Sequence, residues 1–181
     1  MTGRIKSEFS RNVLVLMTGT TIAQAIPIAI SPILTRLYSP EDFGLFALFI
    51  AVSSIIASVS NASYEQAIVL PKKNIDAINI FALGFIINIF ITIISLTFII
   101  ISHDLIVEFL RNKEISIWLY AVPFVVFLTG TFNLLIFFNN RLKNYKDMAR
   151  ASIYKSIVNA IVQLIFVFFK SLSNEVNDFL L

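Results

Sequence analysis

Five long apolar runs divide this chain, and its charged residues collect in the joints between them. The runs cover residues 13–35, 44–70, 78–102, 115–138 and 153–169. A bilayer's hydrocarbon core is about 30 Å thick and takes about 20 helical residues to cross. Four runs exceed that length and the fifth sits near its lower limit. Each is expected to be helical, because a backbone amide exposed to lipid has no water to bond. The pattern predicts an all-α, polytopic transmembrane helix bundle with five spans. It reads as one membrane domain over residues 1–181, with a polar tail at 171–181 that carries Asn174, Glu175, Asn177 and Asp178.

The joints carry turn and cap signals. Ser39-Pro40-Glu41-Asp42 reads as a helix start: Ser39 can cap, Pro40 suits the first turn, and two acids favour the positive end of the helix dipole. The first two spans should therefore form a tight hairpin. The joint at 71–76 is equally short. In the longer joint at 103–114, Leu105, Ile106, Phe109 and Leu110 could make one face of a short interfacial helix. The joint at 139–152 is the most basic.

Within the spans, small and polar residues recur at steps of three and four, so each helix carries one such stripe. The stripes are Thr21, Gln24, Ser31 and Thr35; Ala47, Ala51, Ser54, Ser58, Asn61 and Glu65; Gly84, Asn88, Thr92 and Ser95; Thr129, Asn133 and Asn140; and Lys155, Asn159 and Gln163. Two causes can produce them. Small residues let helices approach, and hydroxyls or amides bond across the gap. Alternatively the stripes face a water-filled cavity along the bundle axis. Gln24, Asn61, Glu65, Asn88, Asn133, Asn159 and Gln163 are many large polar groups for packing alone, which points to the cavity.

Composition agrees with the pattern: 57% of residues are hydrophobic, 14% are charged and the mean hydropathy is +0.85. With no cysteine, disulfides and thiolate chemistry are excluded. The net charge of +3 matters less than its placement. Arg4, Lys6, Arg11, Lys72, Lys73, Arg141, Lys143, Lys146, Arg150 and Lys155 fall on one side, and Arg36, Arg111, Lys113 and Lys170 on the other. The excess of positive charge marks the cytoplasm. The N-terminus is then cytoplasmic and, after five crossings, the C-terminus of this chain is periplasmic. The basic stretch at 141–155 reads as a topology anchor on anionic membrane lipid rather than a nucleic-acid site. Ala23-Gln24-Ala25 resembles a signal-peptidase site, but the apolar run continues past it, so an uncleaved span is expected.

Few residues suggest chemistry. Glu65 is the sole acid well inside a run, where a charge costs at least about 2.5 kcal/mol. It is either a functional group or a side chain reaching cytoplasmic water, since Lys72 lies only about 10 Å further along a helix. Arg36 could grip a diphosphate with its guanidinium fork, or anchor the interface beside Tyr38. Pro27 and Pro32 should kink the first span. His103, the sole histidine, has no clustered partners for a metal. No nucleophile triad, phosphate loop or paired carboxylates are evident, so an enzyme is not expected, and neither is a cofactor.

Leu34-Thr35-Arg36-Leu37-Tyr38-Ser39-Pro40-Glu41-Asp42-Phe43-Gly44 resembles the first-joint signature of the polysaccharide-biosynthesis, O-antigen (Wzx-type) flippases of the multidrug/oligosaccharidyl-lipid/polysaccharide exporter superfamily. Tyr64-Glu65-Gln66-Ala67-Ile68-Val69-Leu70-Pro71 is similar to that family's second-helix ending. The likeness extends over roughly residues 8–168. It implies a MATE-like fold of two six-helix lobes in the bacterial inner membrane. It also implies alternating-access transport of undecaprenyl-diphosphate-linked oligosaccharide repeats for surface polysaccharide, O-antigen or lipopolysaccharide. The expected cavity-lining or substrate-binding candidates are Gln24, Arg36, Asn61, Glu65, Asn88 and Asn133. A polysaccharide polymerase and other glycan-assembly proteins are the expected partners. The chain departs from the family in stopping after five helices, like an incomplete N-terminal lobe. A truncated gene or partial reading is the expectation, with no transport by this length alone. Two alternatives stay open: a drug/cation antiporter of the same superfamily, with Glu65 on the coupling ion, and a non-transporting membrane subunit of a glycan-assembly complex.

Overall fold

The computed structural model describes the backbone of residues 2–180 and the side chains of residues 10–164. Every regular element within them is a helix: α1 (Thr2–Leu37), α2 (Pro40–Val59), α3 (Tyr64–Ala67), α4 (Asn74–Leu110), α5 (Ile115–Leu119), α6 (Val122–Arg141) and α7 (Tyr145–Leu180). Among the described residues four segments are long and apolar enough to cross a membrane: Ser10–Leu37, Pro40–Val59, Asn74–Leu110 and Ile115–Arg141. The fifth expected span, 153–169, lies on α7, and its side chains past residue 164 fall outside the described ones. The α7 backbone stays helical through 171–180, where a tail was expected.

The chain, expected as one domain, forms two compact units: Met1–Pro40 with Asn144–Leu181, and Glu41–Lys143. In the first unit α1 and α7 pair side by side. Gly19 meets Ala149, and further along both helices the Tyr38 hydroxyl donates to the Gln163 carbonyl at 3.3 Å, so the two helices run parallel. Gly19, Ala23, Ala149 and Ala160 are buried along the seam. A Cβ on Gly19 would stand 2.9 Å from the Ala149 Cα. Lipid tails compete equally for any apolar surface, so helix pairs in a bilayer depend on such close approach. α1 runs unbroken through Pro27 and Pro32.

In the second unit α4 and α6 run antiparallel. Phe81 lies against Phe138, the site of a Gly84 Cβ against Leu134, and Asn88 against Gly130. Two apolar clusters sit at its ends. Near one end Ile99, Ile115, Leu119, Val122 and Val126 are buried, with Leu45, Leu48, Phe49 and Val52 of α2 against them. Near the other, Ile68, Ala77 and Leu134 are buried beneath Phe81, Phe85 and Phe137. Large side chains such as Ile28, Ile55, Ile101 and Phe124 are left 65–78% exposed, as lipid-facing positions require.

Three expected boundaries move. The run 44–70 is not one helix. α2 ends at Val59, Ala62 and Ser63 take left-handed φ values of 46° and 60°, and α3 follows as a single turn. No glycine or proline marks this break; Asn61 holds it through a bond to α6. The joint after 102 is a kink at Ser102 (φ −104°, ψ 16°), past which α4 continues to Leu110. On that extension Ile106 and Leu110 pack inward, while Leu105 and Phe109 are exposed. The basic joint at 139–152 shrinks to residues 142–144, between the end of α6 and the start of α7. Arg141 binds protein carbonyls. Its guanidinium donates to the carbonyls of Pro71 (2.5 Å), Lys73 (3.1 Å) and Ile68 (3.4 Å), and to Asn74 Oδ1 (3.2 Å). This clasp ties the α3–α4 loop to the end of α6.

Candidate functional site

Between the two apolar clusters of the second unit lies a polar layer built from the α2–α3 break, α4 and α6. Asn88 is fully buried on α4, and its Nδ2 donates to the Phe127 carbonyl at 3.0 Å and to Thr131 Oγ1 at 3.2 Å. Asn61 is 2% exposed, and its Nδ2 donates to the Gly130 carbonyl at 2.9 Å. Both amides thus grip the same turn of α6. Gly130 makes this possible, because a Cβ there would fall 2.7 Å from Asn88 Cγ and 2.9 Å from its Nδ2. Asn88 is two residues from the centre of the run 78–102, which puts the layer near the bilayer midplane.

The bonding pattern fixes which way each amide points. A backbone carbonyl only accepts, so the nitrogen of each Asn must face α6. The two Oδ1 atoms are buried without a hydrogen-bond partner, and that of Asn88 is the nearest atom to the space a Gly130 Cβ would fill. A buried acceptor left unpaired costs about 1–3 kcal/mol. The layer is therefore an acceptor-rich spot, suited to a hydroxyl, water or other donor. Outside that pair, the Oε2 of Glu65, a half-buried residue of α3, and Ser53 Oγ, on α2, are also buried without a partner, the serine hydroxyl able to donate as well as accept.

The hydroxyl stripes behave differently. Thr18, Ser54, Ser58, Thr92, Ser95 and Thr97 each bond a carbonyl three or four residues back on their own helix, at 2.7–3.0 Å. Such a hydroxyl needs no partner across a helix interface. Most of the α1 and α2 stripes are accordingly exposed: Thr21, Gln24, Ser31 and Thr35, and Ala47, Ala51, Ser54 and Ser58.

Of the residues expected to line a cavity, the structure brings Asn61 and Asn88 together around Gly130 and seals both from solvent. Asn133 is half-buried, one turn along α6 from Gly130. Gln24 and Arg36 belong to the other unit, both exposed on α1. Sequence reasoning missed Gly130, Thr131 and Arg141. Thr129-Gly130-Thr131, three small residues amid large apolar ones, was the signal for the first two. Elsewhere in the second unit an open groove is lined by Gly44, Ala47 and Ala51, with Arg111 and Lys113 beside it.

Long apolar helices with lipid-like surfaces and polar groups gathered inside define an integral membrane protein. The chain belongs to the polysaccharide biosynthesis protein family, whose model matches residues 33–171 and so takes in the polar layer, the helix break and the Arg141 clasp. No curated protein and no solved structure matches the chain.

Proposed function

We propose that this chain is a flippase, or part of one, that moves lipid-linked oligosaccharide across the bacterial inner membrane for surface polysaccharide assembly. The carrying observation is the polar layer at mid-membrane depth in a chain of the polysaccharide biosynthesis family. A translocated sugar needs acceptors for its hydroxyls within the bilayer, and the buried, partnerless amide oxygens of Asn61 and Asn88 are of that kind. A helix broken at membrane depth also suits a transporter, because irregular backbone survives there only where protein or a cavity shields it. The diphosphate headgroup would call on exposed cations such as Arg36. This reading makes the protein a carrier rather than an enzyme.

Helix directions support the topology that goes with it. α1 and α7 run parallel and α4 and α6 antiparallel, as five alternating crossings require. With the positive-inside excess, the N-terminus lies in the cytoplasm.

The test is genetic and chemical together. Deleting the gene should strip the cell of its surface polysaccharide and leave unpolymerised lipid-linked repeat units on the cytoplasmic leaflet, and returning the gene should reverse both. Unchanged surface polysaccharide with no accumulated intermediate would refute the proposal. The antiporter alternative draws on the partnerless Glu65 Oε2, and there Glu65→Gln should abolish drug efflux against a gradient. A non-transporting subunit would instead co-purify with a stoichiometric glycan-assembly partner.

A further inference from the structure

His103 sits just past the Ser102 kink, beyond the 25-residue stretch 78–102, which at 1.5 Å per residue already exceeds the roughly 30 Å hydrocarbon core. It therefore lies outside the membrane-spanning segment, and it joins the α4 extension to α5. Its Nδ1 is 3.1 Å from the Asp104 carboxylate. Its Nε2 is 3.3 Å from the Ser116 carbonyl and 3.0 Å from the Ser116 hydroxyl. Its ring stacks on Tyr120, with centroids 5.3 Å apart and planes 17° apart. The side chain is 20% exposed.

Two of these three partners only accept: a carboxylate and a backbone carbonyl. The imidazolium satisfies both at once, donating from Nδ1 to Asp104 and from Nε2 to the Ser116 carbonyl. A neutral ring keeps only one of them: protonated on Nδ1 it holds Asp104 while its bare Nε2 opposes the carbonyl lone pairs, and protonated on Nε2 it holds the carbonyl while its bare Nδ1 opposes the Asp104 carboxylate. Ser116 Oγ adapts to either state, accepting from a protonated Nε2 or donating to a bare one. We infer that His103 and Ser116 form a pH-sensitive latch, tight in mild acid and looser in alkali, that fixes the outer end of α4 against α5.

The surrounding charges are mixed. On α4, Asp104 and Glu108 face the same recess as the ring, with Arg111 and Lys113 of the following loop. α5 contributes Ser116, and Tyr120 follows at its C-cap. The Asp104 carboxylate, and after it the Ser116 carbonyl, hold the imidazole above its ordinary range, against a smaller pull from partial burial. The sign follows directly. A group with a raised folded-state pKa stabilises fully below its ordinary value, about 6.5, and that contribution is lost as pH climbs through the raised one. Asp104 is fully exposed, so water screens its share, and the geometry at Ser116 carries the coupling between elements. The inference is independent of the transported substrate.

Because His103 is the sole histidine, ¹⁵N-histidine labelling of the full chain in lipid nanodiscs reports on it alone. The ring should titrate above the ordinary value, with both nitrogens protonated at pH 5.5, and Asp104→Asn should lower the midpoint. Hydrogen exchange at residues 100–106 and 115–120, corrected for intrinsic pH dependence, should be several-fold faster at pH 8.5 than at pH 5.5. Ser116→Ala removes the hydroxyl, which is the bond open to a bare Nε2 but only a second acceptor beside the carbonyl for a protonated one, so it should raise the midpoint and widen that difference. His103→Phe keeps the stack on Tyr120 and should abolish it. A midpoint at or below the ordinary value, or corrected exchange indifferent to pH in the unaltered chain, would overturn the latch.

Discussion

The two units solve one problem by opposite means. In the α1–α7 pair, glycine and alanine bring backbones together, and the seam rests mainly on dispersion, with one hydrogen bond from Tyr38 to Gln163. In the unit built from α2 to α6, buried amides and an arginine tie helices through carbonyls, and apolar clusters fill the space on either side. The hydrophobic effect gives little net drive in lipid, so both devices replace it. The difference is in what each tolerates. A close-approach seam fails when volume is added, whereas a polar layer fails when a donor is lost or an acceptor's neighbour is displaced.

The largest effect should come from Gly19→Ala. Its new methyl meets the Ala149 Cβ and, at 2.9 Å, the Ala149 backbone, which cannot rotate away. Overpacking of this kind costs roughly 1–3 kcal/mol, and the upper end is expected here. Unfolding midpoints in detergent would measure it, and Ala149→Gly should recover part of the loss. If the double variant recovers nothing, the α1–α7 seam does not rest on this contact.

Gly130→Ala should follow closely, within the same roughly 1–3 kcal/mol. Its methyl strikes the Asn88 amide, which is anchored by two hydrogen bonds. Truncating that partner as well, in Gly130→Ala/Asn88→Ala, should be less damaging than simple addition of the two single losses. Strict additivity would break the picture of a polar layer centred on Gly130. Arg141→Gln, which removes the charged fork from the α3–α4 loop, should cost about 1–2 kcal/mol, because the freed carbonyls lie near water. Limited proteolysis at 71–74 should detect the loosened loop. The smallest effect belongs to Gly84→Ala, under about 1 kcal/mol, because the atom it meets at 2.8 Å is the Leu134 Cδ2, free to change rotamer.

The stripe of Gly84, Asn88, Thr92 and Ser95 was readable from spacing alone, and the structure turns it toward α6. The stripe of Ala47, Ala51, Ser54 and Ser58 was equally readable, yet those residues stay exposed. Spacing gives a shared face and says nothing of what the face meets. Asn61 and Glu65 seemed to continue the α2 rhythm. The left-handed turn at Ala62 and Ser63 separates them from it, and that break depends on a carbonyl some 70 residues away in the chain. Arg141 carried an interfacial charge pattern in sequence, and only folding supplied the loop carbonyls that it binds.

Run length and charge placement, which act locally through backbone desolvation and the membrane's charge asymmetry, were sufficient for an all-helical membrane protein and for the positions of most of its spans. The family signature lay in contiguous residues and was legible for the same reason. Tertiary contact alone decided where α2 breaks, which amides are buried, which of their oxygens go without a partner, and that the sole histidine meets Ser116. Each of those depends on a donor finding an acceptor from a distant segment, and no one-dimensional pattern encodes that pairing.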